Sequence, residues 1–252
     1  MDGASNSLKS GRSDLPKAMH VDKASKKLSI CVVYGRLPFP MMRGDQLTVA
    51  HILAFLAARG HETDFFTLGL DGELSDIQAD WLRGSCRELH IYDQSWLSKF
   101  TGILSGLVRG VPLQVGMFDN RNLLRDVRAA IEAGKYDLIY VYYLRSAEVI
   151  PKGFGQAVET KKNGRRVAAF LAMQLSQALN TRRIFKNEQN VLRKLLFFFE
   201  WQLIRLYEAR IWNKFTRSVL IGPATLLRSK RSAVCFACRR STIGSTEPTE
   251  PT

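Results

Sequence analysis

The sequence predicts an α/β fold built on a parallel sheet with flanking helices, and three observations carry that prediction. Apolar runs of strand length alternate with longer helix-period segments through most of the 252 residues. The first run, LSICVVY at 28–34, is nearly continuous, as in a strand covered on both faces. A loop containing Pro and Gly then leads into an amphipathic helix that closes on Gly60, the opening unit of a nucleotide-binding α/β domain.

Within that unit the helix is expected to start right after Gly44, with Asp45 as its cap and Gly60 in the left-handed position beyond its end. Val49, Ile52, Leu53 and Leu56 form its buried stripe. A helix start offers unpaired N–H groups and the positive end of the helix dipole. An anion therefore fits against Arg43, Gly44 and the first turn, which includes Gln46. Neither GxGxxG nor GxxxxGK[ST] is present, so this is a strand, loop and helix without a phosphate-loop motif.

Further strands are predicted at 62–68, 88–92, 137–142, 166–171 and 218–221, and the clearest helices at 46–59, 95–108, 120–133 and 188–214. This alternation gives a Rossmann-like sheet with right-handed crossovers. Ligands of such sheets bind beyond the carboxyl ends of the strands, which brings the loops after Tyr34, Tyr142 and Leu171 to one rim. Tyr142, Tyr143 and Arg145 leave the 137–142 strand there and either hydrogen-bond a ligand or pack and snorkel. Residues 1–26 form a polar arm and 228–252 a tail ending in Ser, Thr, Pro and Glu. Both are expected to be disordered, leaving one domain over 27–227.

The net charge of +14 is local in origin. Residues 28–150 carry 12 Lys/Arg against 14 Asp/Glu, whereas 151–252 carry 19 against 6. Anionic lipid, nucleic-acid phosphate and diphosphate all answer to that sign. With no nucleic-acid-binding motif beside it, nucleic acid is the least favoured partner. Along 188–214, Leu192, Leu196, Phe199, Leu203 and Leu206 recur at helical spacing and are expected to face the core, leaving Phe197, Phe198, Trp201 and Ile204 mostly outside that stripe. A helix apolar over so much of its circumference needs a second surface to bury against. That surface is either another domain or a bilayer interface, where Phe197, Phe198 and Trp201 would lie at headgroup depth beside Arg193, Lys194 and Arg205, each cation adding about 1 kcal/mol.

No apolar run reaches the roughly 20 residues of a transmembrane helix, and the first residues lack a signal peptide's apolar core, so the expected location is the cytoplasm. Cys235 and Cys238 form a single CxxC without a second pair or nearby His, while Cys31 and Cys86 belong to the folded part, and no metal is assigned. His51 and His61 read as structural, His90 as part of a strand and His20 as part of the arm. Ser, His and Asp nowhere group into a hydrolase signature.

Four segments carry a family likeness. PFP at 38–40, Gly44-Asp45, the following helix and ARGHE at 58–62 resemble the beginning of the bacterial family-4 glycosyltransferases, the retaining GT-B enzymes that assemble lipopolysaccharide and exopolysaccharide. VPLQVGMF at 111–118 resembles the "PLQVGYF" segment of one sugar-transferase branch, and KYDLIYVYYLR at 135–145 resembles its "FDVVHVQYLR" strand. Tyr207-Glu208 and the strand at 217–221 resemble the "YE…D.VLVVS" passage that closes the N-terminal domain, so order and spacing agree over 27–227.

The resemblance implies a single GT-B lobe, the acceptor-side half of an enzyme that moves a sugar from a nucleotide-diphosphate donor to a polysaccharide or lipid-linked acceptor at the inner membrane surface. It implies no cofactor beyond that donor substrate. Arg43, Gly44, Asp45, Gln46, Tyr142, Tyr143 and Arg145, at the helix start and the strand exit, are then the candidate substrate-binding residues, Asp45 either capping its helix or orienting a sugar hydroxyl. Tyr140 and Tyr142 stand where many relatives have histidines, so no acid or base is evident and no catalytic residue is assigned. The family's donor-binding glutamate pair, in the second domain, has no counterpart here. The expectation is a truncated or frameshifted product, inactive by itself, whose missing half is a separate donor domain. A noncatalytic binding module, or a membrane-surface partner of a separate glycosyltransferase half, is the alternative.

Overall fold

A computed structural model describes residues 26–70, 74–152, 154, 161–162 and 165–220. Six strands form one all-parallel sheet: β1 (Ser29–Tyr34), β2 (Glu62–Leu68), β3 (Glu88–Tyr92), β4 (Leu138–Tyr142), β5 (Ala168–Met173) and β6 (Arg217–Leu220). Their spatial order is 3-2-1-4-5-6. The helices are α1 (Gly44–Ala58), α2 (Asp76–Ser85), α3 (Trp96–Val108), the single turn α4 (Leu113–Gly116), α5 (Arg121–Glu132), α6 (Gln177–Asn187) and α7 (Val191–Ile211). 3₁₀ segments follow β4 at Leu144–Val149 and α7 at Trp212–Lys214, and a short hairpin pairs Lys161–Lys162 with Arg165–Arg166. This is the predicted α/β class with its parallel sheet, a Rossmann-like lobe.

β1 is buried along its whole length, and its alternate side chains feed two cores. Ile30, Val32 and Tyr34 meet Phe65, the α1 residues Val49 and Leu53, and Leu82 of α2 on one face. Cys31 and Val33 meet Phe66, Ile139 and Val141 on the other, with Val127 and Ile131 of α5 and Ile204 and Tyr207 of α7. A one-residue slip of β1 would exchange these two sets, so burial on both sides fixes its register. At the lower edge His61 Nδ1 accepts from Leu28 N at 3.3 Å and Asp137 accepts from Ser29 N at 2.9 Å, which makes His61 a structural residue.

Two expectations are corrected. α1 begins at Gly44 with Arg43 in the cap position, and no side chain caps it. Asp45 sits inside the first turn because its carboxylate is taken by the Tyr34 hydroxyl, which donates to it at 2.8 Å. Gly60 does occupy the left-handed region at φ 74°, a conformation that costs glycine nothing. The second correction concerns α7. Leu192, Leu196, Phe199 and Leu206 lie on the exposed side, and the buried side carries Glu200, Ile204, Tyr207, Glu208 and Ile211.

The reason for that rotation is polar. Glu200 accepts from Leu113 N and Gln114 N, both at 3.0 Å, closing the start of α4. Glu208 accepts from Ser176 Oγ at 2.8 Å, Gln177 N at 3.2 Å and Ala178 N at 3.3 Å, closing the start of α6. Each carboxylate satisfies donors that a helix start leaves orphaned and meets the positive end of its dipole. Two helix starts therefore hold α7 in an orientation that an apolar count does not reveal.

α2 and α6 lie outside the clearest predicted helices. Ser75 opens α2 with a reciprocal capping box to Gln78, and Ser176 opens α6 by accepting from Leu179 N. The single helix expected at 188–214 is α7 with its 3₁₀ end, separated from α6 by Asn190, which caps α7 through Arg193 N. α3 and α4 pack backbone to backbone: a Cβ on Gly102 would stand 2.4 Å from Gly116 O. No helix among the described residues is long and apolar enough to cross a membrane. The expected disorder of the arm up to residue 25 and of the 228–252 tail, with His20, Ile221, Cys235 and Cys238, falls outside the described residues.

Candidate functional site

Strand order reverses between β1 and β4, and in such sheets the crevice at that switch point is where ligands bind. Register places Tyr34, Tyr142 and Ala172 side by side at the carboxyl edge. Tyr34 and Tyr142 contact edge to face, with ring centroids 5.6 Å apart. Burial, then the bond to Asp45, pushes the Tyr34 phenol up, so it stays protonated and donates to that carboxylate. Burial likewise pushes up the Tyr142 phenol. Thr48 and Gln174 lie beside its hydroxyl, which is buried and has no hydrogen-bond partner of good geometry among the described residues.

Tyr143 follows at φ 78°, a left-handed conformation that strains a non-glycine residue. It is held there from two sides. Its N–H donates to Ala172 O at 2.8 Å, and its hydroxyl accepts from Gln177 Nε2 at 2.8 Å. The sharp turn sends the chain into the 3₁₀ segment and sets the Arg145 guanidinium over the rings of Phe118 at 4.9 Å and Tyr143 at 5.5 Å. Burial, opposed by Tyr143 and reinforced by the like charge of Arg36, pulls the Arg145 pKa down. Its Nε is buried and has no hydrogen-bond partner among the described residues. Arg36 lies over the same Phe118 ring at 5.8 Å.

The predicted residues therefore separate. Asp45, Tyr142, Tyr143 and Arg145 come together at the rim, and Arg43 and Gly44 are exposed at the open start of α1. A Cβ on Gly44 would come 3.3 Å from Gln174 Nε2, so the α1 start and the loop after β5 lie close together. Gln46 turns inward instead, donating to Leu37 O at 3.2 Å to hold the loop before α1. Tyr34, Arg36, Phe118, Gln174 and Gln177 belong to the same group and were not singled out in sequence. Only the general position of the rim loops pointed to them.

This arrangement offers phenol and amide hydrogen-bonding groups, aromatic faces and a desolvated guanidinium, which suits a polyhydroxylated ligand with a negative charge. Asp45 is its carboxylate, and among the described residues no second carboxylate or histidine stands beside it in the crevice. The void under Phe118 and Ser146 measures about 10 Å³, room for a water at most. Among the described residues no group of His, Cys, Asp and Glu is placed to hold a metal. His90 stacks on Phe66 at 4.4 Å, and His51 is exposed on α1.

Phe198 and Trp201 of α7 are half-buried, packing with the Phe185 ring of α6 at 5.7 and 6.0 Å, and Phe197 is half-buried as well. Arg193, Lys194 and Arg205 are exposed. Beside them lies a bare apolar row, Leu192, Leu195, Leu196 and Phe199, with Leu192 79% exposed. α3 exposes a second row through Trp96, Leu97, Phe100 and Leu104. Comparison with protein-family models and with curated proteins returns no match to this chain.

Proposed function

We propose that this lobe is the acceptor-side half of a retaining GT-B glycosyltransferase, which passes a sugar from a nucleotide-diphosphate donor to a polysaccharide or lipid-linked acceptor. The observation that supports the reading is the convergence of Asp45, Tyr142, Tyr143 and Arg145 on the switch-point rim, where ligands of such sheets bind. In this reading the lobe contributes position and charge. Tyr142 donates to an acceptor hydroxyl, Asp45 orients one, and Arg145 meets an acceptor phosphate. The groups that hold the departing diphosphate belong to a donor lobe.

Saturation-transfer NMR with short polyprenyl-diphosphate sugars and with soluble polysaccharide fragments tests this. Binding is expected to weaken at least tenfold in Arg145→Gln with the circular dichroism unchanged. An unaltered spectrum for every acceptor overturns the reading. Release of nucleoside diphosphate by this polypeptide alone would show that donor chemistry resides here too. Acceptor binding without turnover, even with a donor lobe added, would make the protein a binding module.

The bare apolar row of α7 favours a second contact, with an anionic membrane surface. Leu192, Leu195, Leu196 and Phe199 offer apolar area, and Arg193, Lys194 and Arg205 supply charge complementary to anionic headgroups. Sedimentation with phosphatidylglycerol vesicles should fall with salt and be lost in Phe199→Asp. Trp201→Ala, at a half-buried position, should cost less. Equal sedimentation of Phe199→Asp and wild type would refute the contact.

A further inference from the structure

A cavity of about 470 Å³ opens beside the end of α7, away from the rim and sharing none of its residues. Five cationic side chains line it, Arg109, Arg128, Lys152, Arg210 and Lys214, against two carboxylates, Glu132 and Glu148. Two of the cations are already neutralised. Arg109 pairs with Asp119, and Lys214 with Glu148 at 3.0 Å. Glu148 also accepts from the Tyr207 hydroxyl at 2.7 Å. Among the described residues, Arg128, Arg210 and Lys152 have no carboxylate partner, which leaves three cations facing one uncompensated acid, Glu132.

Two of the three are held in place by the backbone. Arg128 Nη2 donates to Glu148 O at 2.7 Å while its Nε is buried without a partner, and Arg210 Nε donates to Leu206 O at 3.1 Å. Like charges gathered around a concavity whose walls include Val111, Pro151 and Ile211 raise the local potential, because the low-dielectric wall focuses the field. The volume falls in the range of small-molecule sites and exceeds what one ion fills. We propose that this cavity binds a ligand bearing two or more phosphate charges, with Arg128, Arg210 and Lys152 as its contacts. This goes beyond the acceptor reading and does not depend on it.

Inorganic pyrophosphate is the soluble probe, titrated calorimetrically into the full chain. Phosphatidylcholine vesicles doped with cardiolipin, offered to the chain carrying Phe199→Asp so that the exposed α7 row cannot hold them, test whether the phosphates come on a lipid headgroup. Saturable pyrophosphate binding that weakens about tenfold in Arg128→Gln or Lys152→Gln, and disappears in Arg128→Gln/Lys152→Gln/Arg210→Gln, supports the site. Vesicle binding lost in the same triple variant, without pyrophosphate binding, supports it with a headgroup as the source. Arg145→Gln should leave either signal unchanged, which separates this cavity from the rim. No binding of either probe overturns the proposal, as does binding that the triple variant retains while its circular dichroism matches wild type.

Discussion

Glu208 gives the sharpest test of how this lobe is held together. Its carboxylate is 1% exposed and accepts from Ser176 Oγ, Gln177 N and Ala178 N. Removing it in Glu208→Ala orphans two backbone donors at roughly 1–2 kcal/mol each and leaves a void, so we predict a loss of about 3 kcal/mol. Glu208→Gln keeps an acceptor oxygen but turns an amide N–H₂ toward a donor, and should cost about 1–2 kcal/mol at neutral pH. Burial raises the Glu208 pKa above its ordinary 4.5, with the bonds from Ser176, Ala178 and Gln177 pulling the other way. The folded state thus holds the proton more tightly than the unfolded state. The stability linked to that proton is fully present below 4.5 and is lost as pH rises through the raised value, with a slope of at most about 1.4 kcal/mol per pH unit. Urea unfolding followed by circular dichroism from pH 4 to 8 measures both effects, and Glu208→Gln should flatten that part of the profile. An alanine variant within about 0.5 kcal/mol of wild type, or a glutamine variant with the wild-type slope, would refute the account.

Other perturbations separate neighbouring effects. Gly102→Ala drives a Cβ to 2.4 Å from Gly116 O, a backbone atom, and should cost about 2–3 kcal/mol, whereas Gly84→Ala, at an exposed position of α2, meets nothing within 4 Å and should add about 0.5–1 kcal/mol in the same urea assay. Burial pushes the Glu148 carboxyl up, but Lys214, Tyr207 and Arg109 outweigh it and hold it below the ordinary 4.5. Its stabilisation is therefore present above 4.5 and lost as pH falls through the lowered value, and Glu148→Gln should remove that acid-side loss from a thermal melt series. Asp64 is buried, accepts twice from Arg87 at 2.9 and 2.6 Å and once from Tyr136 at 2.9 Å, so Asp64→Ala should cost about 3–5 kcal/mol by unfolding, unlike loss of the exposed Arg83–Asp80 pair, at under about 1 kcal/mol.

The sheet was legible because a strand buried on both faces leaves an apolar run with little ambiguity. β1 stands within a residue of its predicted position because each of its residues is buried, and β2 matches although Thr63, Asp64 and Thr67 are buried among its apolar residues, while β3 matches as an edge strand with Glu88 and Ile91 exposed. Ser75 and Ser176 were the overlooked signals for α2 and α6, because short polar caps precede helices with few apolar residues. The orientation of α7 was not readable from hydrophobic spacing, which treats a glutamate as an outward residue. Here Glu200 and Glu208 point inward, each meeting the start of another helix. At the rim, the strand-end rule located the loops, but which side chains turn into the crevice depends on the φ of Tyr143 and on Gln46 reaching Leu37 O.

The unsatisfied groups give the rim its meaning. A lobe that closes helix starts with Glu200, Glu208, Ser75, Ser176 and Asn190 leaves the start of α1 uncapped, although Asp45 stands in its first turn. In the same crevice the Tyr142 hydroxyl and Arg145 Nε are buried without hydrogen-bond partners among the described residues, and Tyr143 is strained. Each of these costs free energy in the folded chain, on the order of 1–3 kcal/mol for a buried unpaired donor or a strained backbone. A purely structural rim would be relieved by simple replacements, Tyr142→Phe removing the unpaired hydroxyl and Tyr143→Gly the strain. If the crevice exists to hold a ligand, Tyr142→Phe should be neutral or stabilising in urea and should weaken acceptor binding in the NMR assay. A variant destabilised by more than about 1 kcal/mol would instead mean that the hydroxyl serves the fold.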